Sequence, residues 1–155
     1  GDHRDLHLSI RRQRQMCIRD RCEGIQAVRS IIYTVLSELF NNALEHGILK
    51  LDSKLKADST GFHQYYENRE ASLKALSHGR INIRIESLPL KGKVLIAVED
   101  SGEGFEWNKA STVGRRHSVH DESFGRGLPL LHALCERVWF ENGGSKVICL
   151  LDTKI

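Results

Sequence analysis

The chain has 155 residues, of which 40% are hydrophobic and 28% are charged, and these proportions suit one soluble globular domain. No apolar run approaches the ~18 residues that a membrane span needs. The polar N-terminal segment also lacks the apolar stretch of a secretion signal. The sequence therefore predicts a cytoplasmic protein that is not membrane-bound.

The net charge of +3 comes from residues 1–22, which hold six arginines and three aspartates. From residue 23 onward, basic and acidic residues are equal in number. A nucleic-acid partner needs a basic surface on the fold itself, so this distribution argues against one. The run RRQRQMCIRDR has no helical or strand period and resembles translated adapter sequence. We expect residues 1–22 to be a non-native or disordered tail, and residues 23–155 to form the domain.

The first predicted element is a long helix from Glu23 to about Gly47. Its apolar residues recur at spacings of three and four, which places them on one stripe of the helix surface. Gly47 is suited to end the helix. The stripe consists of Val28, Ile32, Val35, Leu39 and Ala43.

A second helix is predicted over residues 62–78, after a polar loop. Residues 81–87, INIRIES, then alternate strictly, with three isoleucines on one face, which predicts a half-buried strand. The apolar run KVLIAVED, residues 93–100, has the length of a strand. Pro89 and Gly92 mark the turn between the two strands, so the pair is predicted to be a hairpin.

Residues 101–125 contain four glycines and no continuous apolar pattern, which is typical of a long mobile loop. A helix is predicted from about Leu128, with Pro129 well placed in its first turn. The segments VWFEN and SKVICLLD, separated by Gly143 and Gly144, are predicted to form a closing hairpin.

The first motif with chemical potential is SELFNNALEHG, on the long helix. Glu38, Asn42 and His46 lie within about 80° of one another on a helical wheel, along the edge of the apolar stripe. A carboxamide oxygen suits Mg²⁺ that also holds phosphates, and a carboxylate one turn away can orient or deprotonate a hydroxyl. On its own, this motif is equally well read as a solvated polar edge.

The second motif, EDSGEGF, follows a predicted strand directly. Asp100 shares a strand face with Val94, Ile96 and Val98, so its carboxylate should point from the core face into a pocket. There it can accept a hydrogen bond from an exocyclic amine such as that of adenine. Gly102 and Gly104 allow the backbone to turn sharply beside a ligand. An ordinary turn at a strand end is the alternative.

The third motif, FGRGL, precedes a predicted helix. Backbone N–H groups and the helix dipole favour phosphate at such a position. Arg126 adds a planar donor group for phosphate oxygens, between Gly125 and Gly127. A glycine-flanked helix cap is the alternative.

The order and spacing of the three motifs resemble those of the Bergerat-fold ATPases, which include gyrase B, Hsp90, MutL and histidine kinases. The resemblance covers roughly residues 23–152. It implies an α/β two-layer sandwich, in which helices cover one face of a mixed, mostly antiparallel sheet. It also implies ATP and Mg²⁺ as cofactors.

The resemblance implies a role for each matching residue. Glu38 corresponds to the general base, Asn42 to the Mg²⁺ ligand and Asp100 to the residue that reads adenine. Arg126 would steady the γ-phosphate, and residues 106–124 would form a lid over ATP. The other residues implied to bind nucleotide are His46, Gly102, Gly104, Phe105, Gly125, Gly127, Leu128 and Ser145.

Within the superfamily, the compact domain is most similar to anti-sigma-factor serine kinases of bacterial partner switching. It is also similar to the kinase-like domains fused to PP2C-type phosphatases of response-regulator proteins. This branch implies transfer of the γ-phosphoryl group to a Ser or Thr of a small antagonist protein. A sigma factor, or a fused phosphatase or receiver domain, is a further expected partner, and a homodimer is left open. The alternative is a nucleotide-sensing interaction domain without turnover.

Overall fold

The computed structural model describes residues 24–52, 59–104 and 127–154. The predicted tail, residues 1–22, lies outside these ranges. The helices are α1 (residues 24–42), α2 (Ser59–Ala75) and α3 (Gly127–Leu134), and a π-helical segment, Ala43–Ile48, continues directly from α1. The strands are β1 (Ile81–Leu88), β2 (Lys93–Asp100), β3 (Arg137–Glu141) and β4 (Lys146–Asp152).

The chain divides into two compact units, one ending at Thr34 and the other running from Val35 to Lys154. In the first unit the described residues form the start of α1, where the Thr34 hydroxyl donates a 2.9 Å hydrogen bond to the Ser30 carbonyl. The second unit contains the sheet and the remaining helices. No helix in the described part of the chain is both long and apolar enough to cross a bilayer.

The predicted apolar stripe is buried where it enters the second unit. Val35, Leu39 and Ala43 are 0%, 1% and 7% exposed. The prediction of one regular helix to Gly47 needs correction, because the helix widens from Ala43 onward. A π-helix bonds each N–H to the carbonyl five residues earlier, and the Leu49 N–H meets the Leu44 carbonyl at 2.8 Å. The apolar period cannot show this, since one widened turn leaves the preceding residues unchanged.

Helix α2 confirms the second predicted helix, although both ends lie three residues earlier than predicted. The chain leaves the helix at Leu76, before the predicted stop at Gly79. Tyr65 is the deeply buried side chain of α2, at 1% exposed.

The four strands form one sheet in the order β1-β2-β4-β3, and every neighbouring pair is antiparallel. Both predicted hairpins are confirmed, and so is the α/β fold with helices on one sheet face. A 3₁₀ turn, Pro89–Lys91, closes the first hairpin, with Gly92 in the left-handed conformation at φ 62°. The buried face of the two central strands carries Val94, Ile96, Val98, Val147, Cys149 and Leu151.

Strand β1 forms as predicted, but its expected burial is wrong. Ile83 and Ile85 are 47% and 52% exposed. They share the buried face of the sheet with Val98 and Ile96, their partners in β2. Because β1 is an edge strand of the described sheet, alternation fixes which face its isoleucines share but not whether a helix covers them.

Candidate functional site

A cleft lies between the π-helical segment, the end of β2 and the turn between β3 and β4. Its wall combines aliphatic side chains with a few polar groups and glycine backbone. A mostly apolar lining with a few polar groups is typical of small-molecule sites. The lining residues are Leu39, Asn42, Ala43, His46, Gly47, Val98, Asp100, Gly104, Gly144 and Val147.

Asp100 is the acidic group of this cleft and ends β2 on the buried face of the sheet. The Gly102 N–H donates a 2.8 Å hydrogen bond to Oδ1 of Asp100, and the Asp100 N–H donates to the Ser145 carbonyl at 2.9 Å. Burial raises the pKa of Asp100 above its ordinary value, and the charge of Glu99 acts in the same direction. The Gly102 hydrogen bond partly opposes this shift in pKa. The structure thus presents a fixed, partly desolvated carboxylate to the cleft.

Gly47 joins the first motif to the second. A Cβ atom on Gly47 would fall 2.6 Å from Oδ1 of Asp100, so the π-helical backbone packs directly on this carboxylate. Gly102 lies against both groups, because a Cβ there would fall 2.8 Å from the same oxygen and 3.0 Å from the carbonyl carbon of Gly47. Sequence reasoning assigns Gly47 only to the end of the helix, whereas the structure makes it part of the site.

Gly104 joins the second motif to the turn between β3 and β4. Its φ of +87° lies in the region that disfavours side chains, and a Cβ there would fall 2.9 Å from the carbonyl carbon of Gly143. The next residue in that turn, Gly144, lines the cleft. The two glycines predicted only as a hairpin turn therefore help to form the site.

Glu38 joins the first motif to the third. A Cβ on Gly127, the first residue of α3, would fall 2.6 Å from the carboxyl carbon of Glu38. The Glu38 side chain therefore lies against the N-terminus of α3, where a helix favours negative charge. Of the third motif, Gly125 and Arg126 lie outside the described residues, as do Phe105 and the predicted lid over residues 106–124.

Asn42 and His46 both face the cleft. Nδ1 of His46 lies 3.2 Å from the Leu51 carbonyl, which can only accept a hydrogen bond, so this nitrogen carries the proton. In the described residues, no group of three or more His, Cys, Asp or Glu side chains could hold a metal ion by itself. A single carboxamide oxygen fits Mg²⁺ that is held mainly by phosphates and water.

Leu128 and Ser145, which were also predicted to bind nucleotide, are not among the residues that line the cleft. Leu128 is 6% exposed and belongs to the core. The hydroxyl of Ser145 donates to the Asn142 carbonyl at 3.0 Å, and it is the backbone of Ser145 that meets Asp100. The structure thus gives Leu128 a packing contact and Ser145 a backbone contact behind the cleft.

The family model for histidine kinase-, DNA gyrase B- and HSP90-like ATPases matches residues 27–155. The chain belongs to this family. Searches of curated proteins and of solved structures give no significant match. Membership in this ATPase family implies that the domain binds ATP. The described cleft joins the first two motifs, and Gly127 of the third motif lies against Glu38 of the first.

The residues of this ATPase cleft that sequence reasoning misses are of two kinds. Gly47 and Gly144 carry no functional group, and their importance lies in backbone approach, which only the folded chain reveals. The aliphatic lining residues carry no separate signal in the sequence, because burial and ligand contact need the same residue types. These residues are Leu39, Ala43, Val98 and Val147.

The contact between Gly47 and Asp100 leads to a prediction for ATP binding. In Gly47→Ala the added methyl group would displace either the Asp100 carboxylate or the π-helical backbone. We expect ATP affinity to fall roughly tenfold, equivalent to ~1.4 kcal/mol, in isothermal titration calorimetry. Gly24→Ala is the matched control, since a Cβ there meets nothing within 4 Å. Equal ATP affinity in both variants would contradict the assignment of Gly47.

Proposed function

We propose that the domain is a protein serine/threonine kinase that phosphorylates a small antagonist protein in a bacterial partner switch. The observation that carries this proposal is the position of Glu38 against the first residue of α3, the helix whose N-terminus is proposed to bind phosphate. Its carboxylate is partly exposed and can reach a hydroxyl group brought in by a partner.

Electrostatics favours a catalytic role for this carboxylate over a purely binding one. A negative charge beside the phosphates of ATP weakens nucleotide binding by Coulomb repulsion. In a domain that only holds ATP, this repulsion would lower affinity without any gain in reaction rate. In a kinase, the same carboxylate orients the attacking hydroxyl and accepts its proton, which is worth a factor of about 10²–10⁴ in rate.

Different groups of the site take different parts of the nucleotide in this proposal. Asp100 accepts the exocyclic N–H of adenine, beside the aliphatic lining. Asn42 would hold Mg²⁺, which would supply positive charge beside the phosphates. The N-terminus of α3, with Arg126 before it, binds the β- and γ-phosphates.

Phosphoryl transfer forms one bond to the γ-phosphorus and breaks another. The hydroxyl oxygen of the partner's Ser or Thr forms a bond to the γ-phosphorus, and the bond from that phosphorus to the β–γ bridging oxygen breaks. The hydroxyl proton passes to Glu38, and ADP leaves with the electron pair of the broken bond. The residues need only position the groups and stabilise charge, which is how phosphoryl transfer is generally catalysed.

The antagonist protein is the proposed substrate, and a sigma factor or a fused phosphatase or receiver domain is the proposed regulated partner. The support for these partners is the resemblance of the three motifs to the anti-sigma-factor kinases. A non-catalytic domain that senses nucleotide and sequesters such a partner is the alternative, and it becomes an outcome of the test.

The test incubates the chain with Mg²⁺, [γ-³²P]ATP and small candidate proteins that carry an accessible Ser or Thr. We expect acid-stable label on the partner, since phosphoserine and phosphothreonine survive acid whereas phosphohistidine does not. A complex that forms only with ATP but never transfers label would contradict the kinase proposal and support the sequestering alternative.

A further inference from the structure

The π-helical segment carries a buried carboxylate that the site described above does not use. Glu45 is 8% exposed, between Leu44 and His46 in the segment that lines the cleft. A buried carboxylate is costly unless hydrogen bonds or an opposite charge compensate for its lost hydration. The contacts of Glu45 therefore indicate which part of the fold holds the π-helical segment in place.

Two partners of the Glu45 carboxylate come from α2. The Tyr65 hydroxyl donates a 2.6 Å hydrogen bond to Oε2, and Nε of Arg69 donates a 3.1 Å hydrogen bond to Oε1. Tyr65 and Arg69 are four residues apart and so lie on one face of α2. Burial and then the bond to Glu45 raise the pKa of Tyr65, so its hydroxyl stays protonated and remains a donor.

The backbone of Glu45 extends this connection to the cleft. Its carbonyl accepts a 2.8 Å hydrogen bond from the Leu51 N–H, while the Leu51 carbonyl meets Nδ1 of His46. Two residues after Glu45, Gly47 packs on the Asp100 carboxylate. A shift of Glu45 would thus move both the imidazole and the glycine that face the cleft.

We propose that α2 is a positioning element for the nucleotide site, and that it acts through Glu45. Tyr65 and Arg69 hold Glu45, and Glu45 holds the π-helical turn in the geometry that brings Gly47 against Asp100. This proposal rests on the assignment of Asp100 to adenine. It gives a role to a helix that the three motifs leave without one.

The primary test is Tyr65→Phe, which removes one hydroxyl and keeps the ring. We expect ATP affinity to fall about fivefold or more in calorimetry, the range of a typical coupling between sites. Tyr66→Phe is the matched control, since Tyr66 is the next residue on α2 and is 52% exposed. Circular dichroism and the thermal midpoint, measured on each variant, identify any loss of fold.

A second variant pair tests the charged contact. Arg69→Gln removes the cation from Glu45, whereas Lys74→Gln removes an exposed ion pair with Glu70 on the same helix. Of these two variants, only Arg69→Gln should bind ATP more weakly than wild type. Arg69→Lys keeps the positive charge and should recover part of the lost ATP affinity. If Arg69→Gln fails to fold, the ATP affinities of Tyr65→Phe and Arg69→Lys still test the proposal.

Inosine triphosphate separates positioning from general loss of stability. It lacks the exocyclic amine of adenine, so the ratio of ATP to inosine triphosphate affinity reports on the Asp100 contact. We expect this ratio to fall toward one in Tyr65→Phe, whereas mere loosening of the fold would weaken both nucleotides alike. Folded Tyr65→Phe and Arg69→Gln variants with wild-type ATP affinity and ratio would overturn the proposal.

Failure of the proposed function gives a different pattern. A wild-type ratio near one would reject Asp100 as the adenine reader and would overturn the positioning role of α2 with it, whether or not phosphoryl transfer occurs. Absence of transfer to a partner, with α2 variants still weakening ATP binding, would reject the kinase and leave the positioning role intact.

Discussion

Replacing Glu38 with glutamine should abolish phosphoryl transfer while leaving ATP bound. The amide keeps the size of the side chain beside Gly127 but cannot accept the hydroxyl proton. We expect the rate of label transfer to fall by a factor of about 10²–10⁴. ATP affinity should stay equal or rise slightly, because a negative charge near the phosphates is lost.

Single-turnover transfer of labelled phosphate, together with calorimetry of ATP binding, measures the two effects separately. Glu70→Gln is the matched control, since it neutralises an exposed carboxylate on α2. A transfer rate in Glu38→Gln equal to that of wild type would remove Glu38 from the mechanism.

Replacing Asp100 with asparagine should lower ATP affinity more than the substitutions at Gly47, Tyr65 and Arg69 do. The Gly102 N–H requires an acceptor at Oδ1, so the amide oxygen of the asparagine would turn toward Gly102 and its NH₂ group toward the cleft. That group would meet the exocyclic amine of adenine, donor against donor. Loss of a hydrogen bond to a charged acceptor is worth about 1.5–3 kcal/mol, roughly a 10- to 150-fold rise in the dissociation constant.

Asp152 offers a close control for this substitution. Its Oδ1 accepts a 2.9 Å hydrogen bond from the Lys154 N–H, the same two-residue arrangement as at Asp100, but on the exposed end of β4. Asp152→Asn should therefore leave ATP affinity unchanged. Equal affinities in the two variants would contradict the assignment of Asp100 to adenine.

The pKa of Asp100 adds a signature in pH. Burial raises this pKa, so the carboxylate takes up a proton at a higher pH than an ordinary aspartate does. ATP affinity should therefore fall as pH decreases through the raised pKa, and Asp100→Asn should lack this part of the pH dependence. Titration of the phosphates of ATP is common to both proteins and cancels in the comparison.

Much of this molecule is predictable because its local signals agree. The apolar stripe through Val35 and Leu39 predicts α1, and the turn residues Pro89 and Gly92 predict the first hairpin. Asp100 could be assigned to the buried face from strand alternation alone, and the structure places it there.

Other features depend on contacts between distant residues and leave no local signal. The bond from Tyr65 to Glu45 spans 20 residues, and only the folded chain brings the two side chains together. The widened turn after Ala43 likewise has no periodic signature. The exposure of Ile83 and Ile85 follows from the edge position of β1, which alternation cannot reveal. The proposed role of Arg126 remains a prediction from sequence.

The order of strands in the sheet has a consequence for how the molecule fluctuates. The cleft residues Val98, Asp100 and Val147 belong to β2 and β4, which lie between the two edge strands of the described sheet. Fraying that starts at either edge must break the β1–β2 or β3–β4 ladder before it reaches the hydrogen bonds between β2 and β4. Amide hydrogen exchange should therefore be slower in β2 and β4, beside the proposed base site, than in β1 and β3. In partly opened states the two central strands should stay paired after the edge strands have separated.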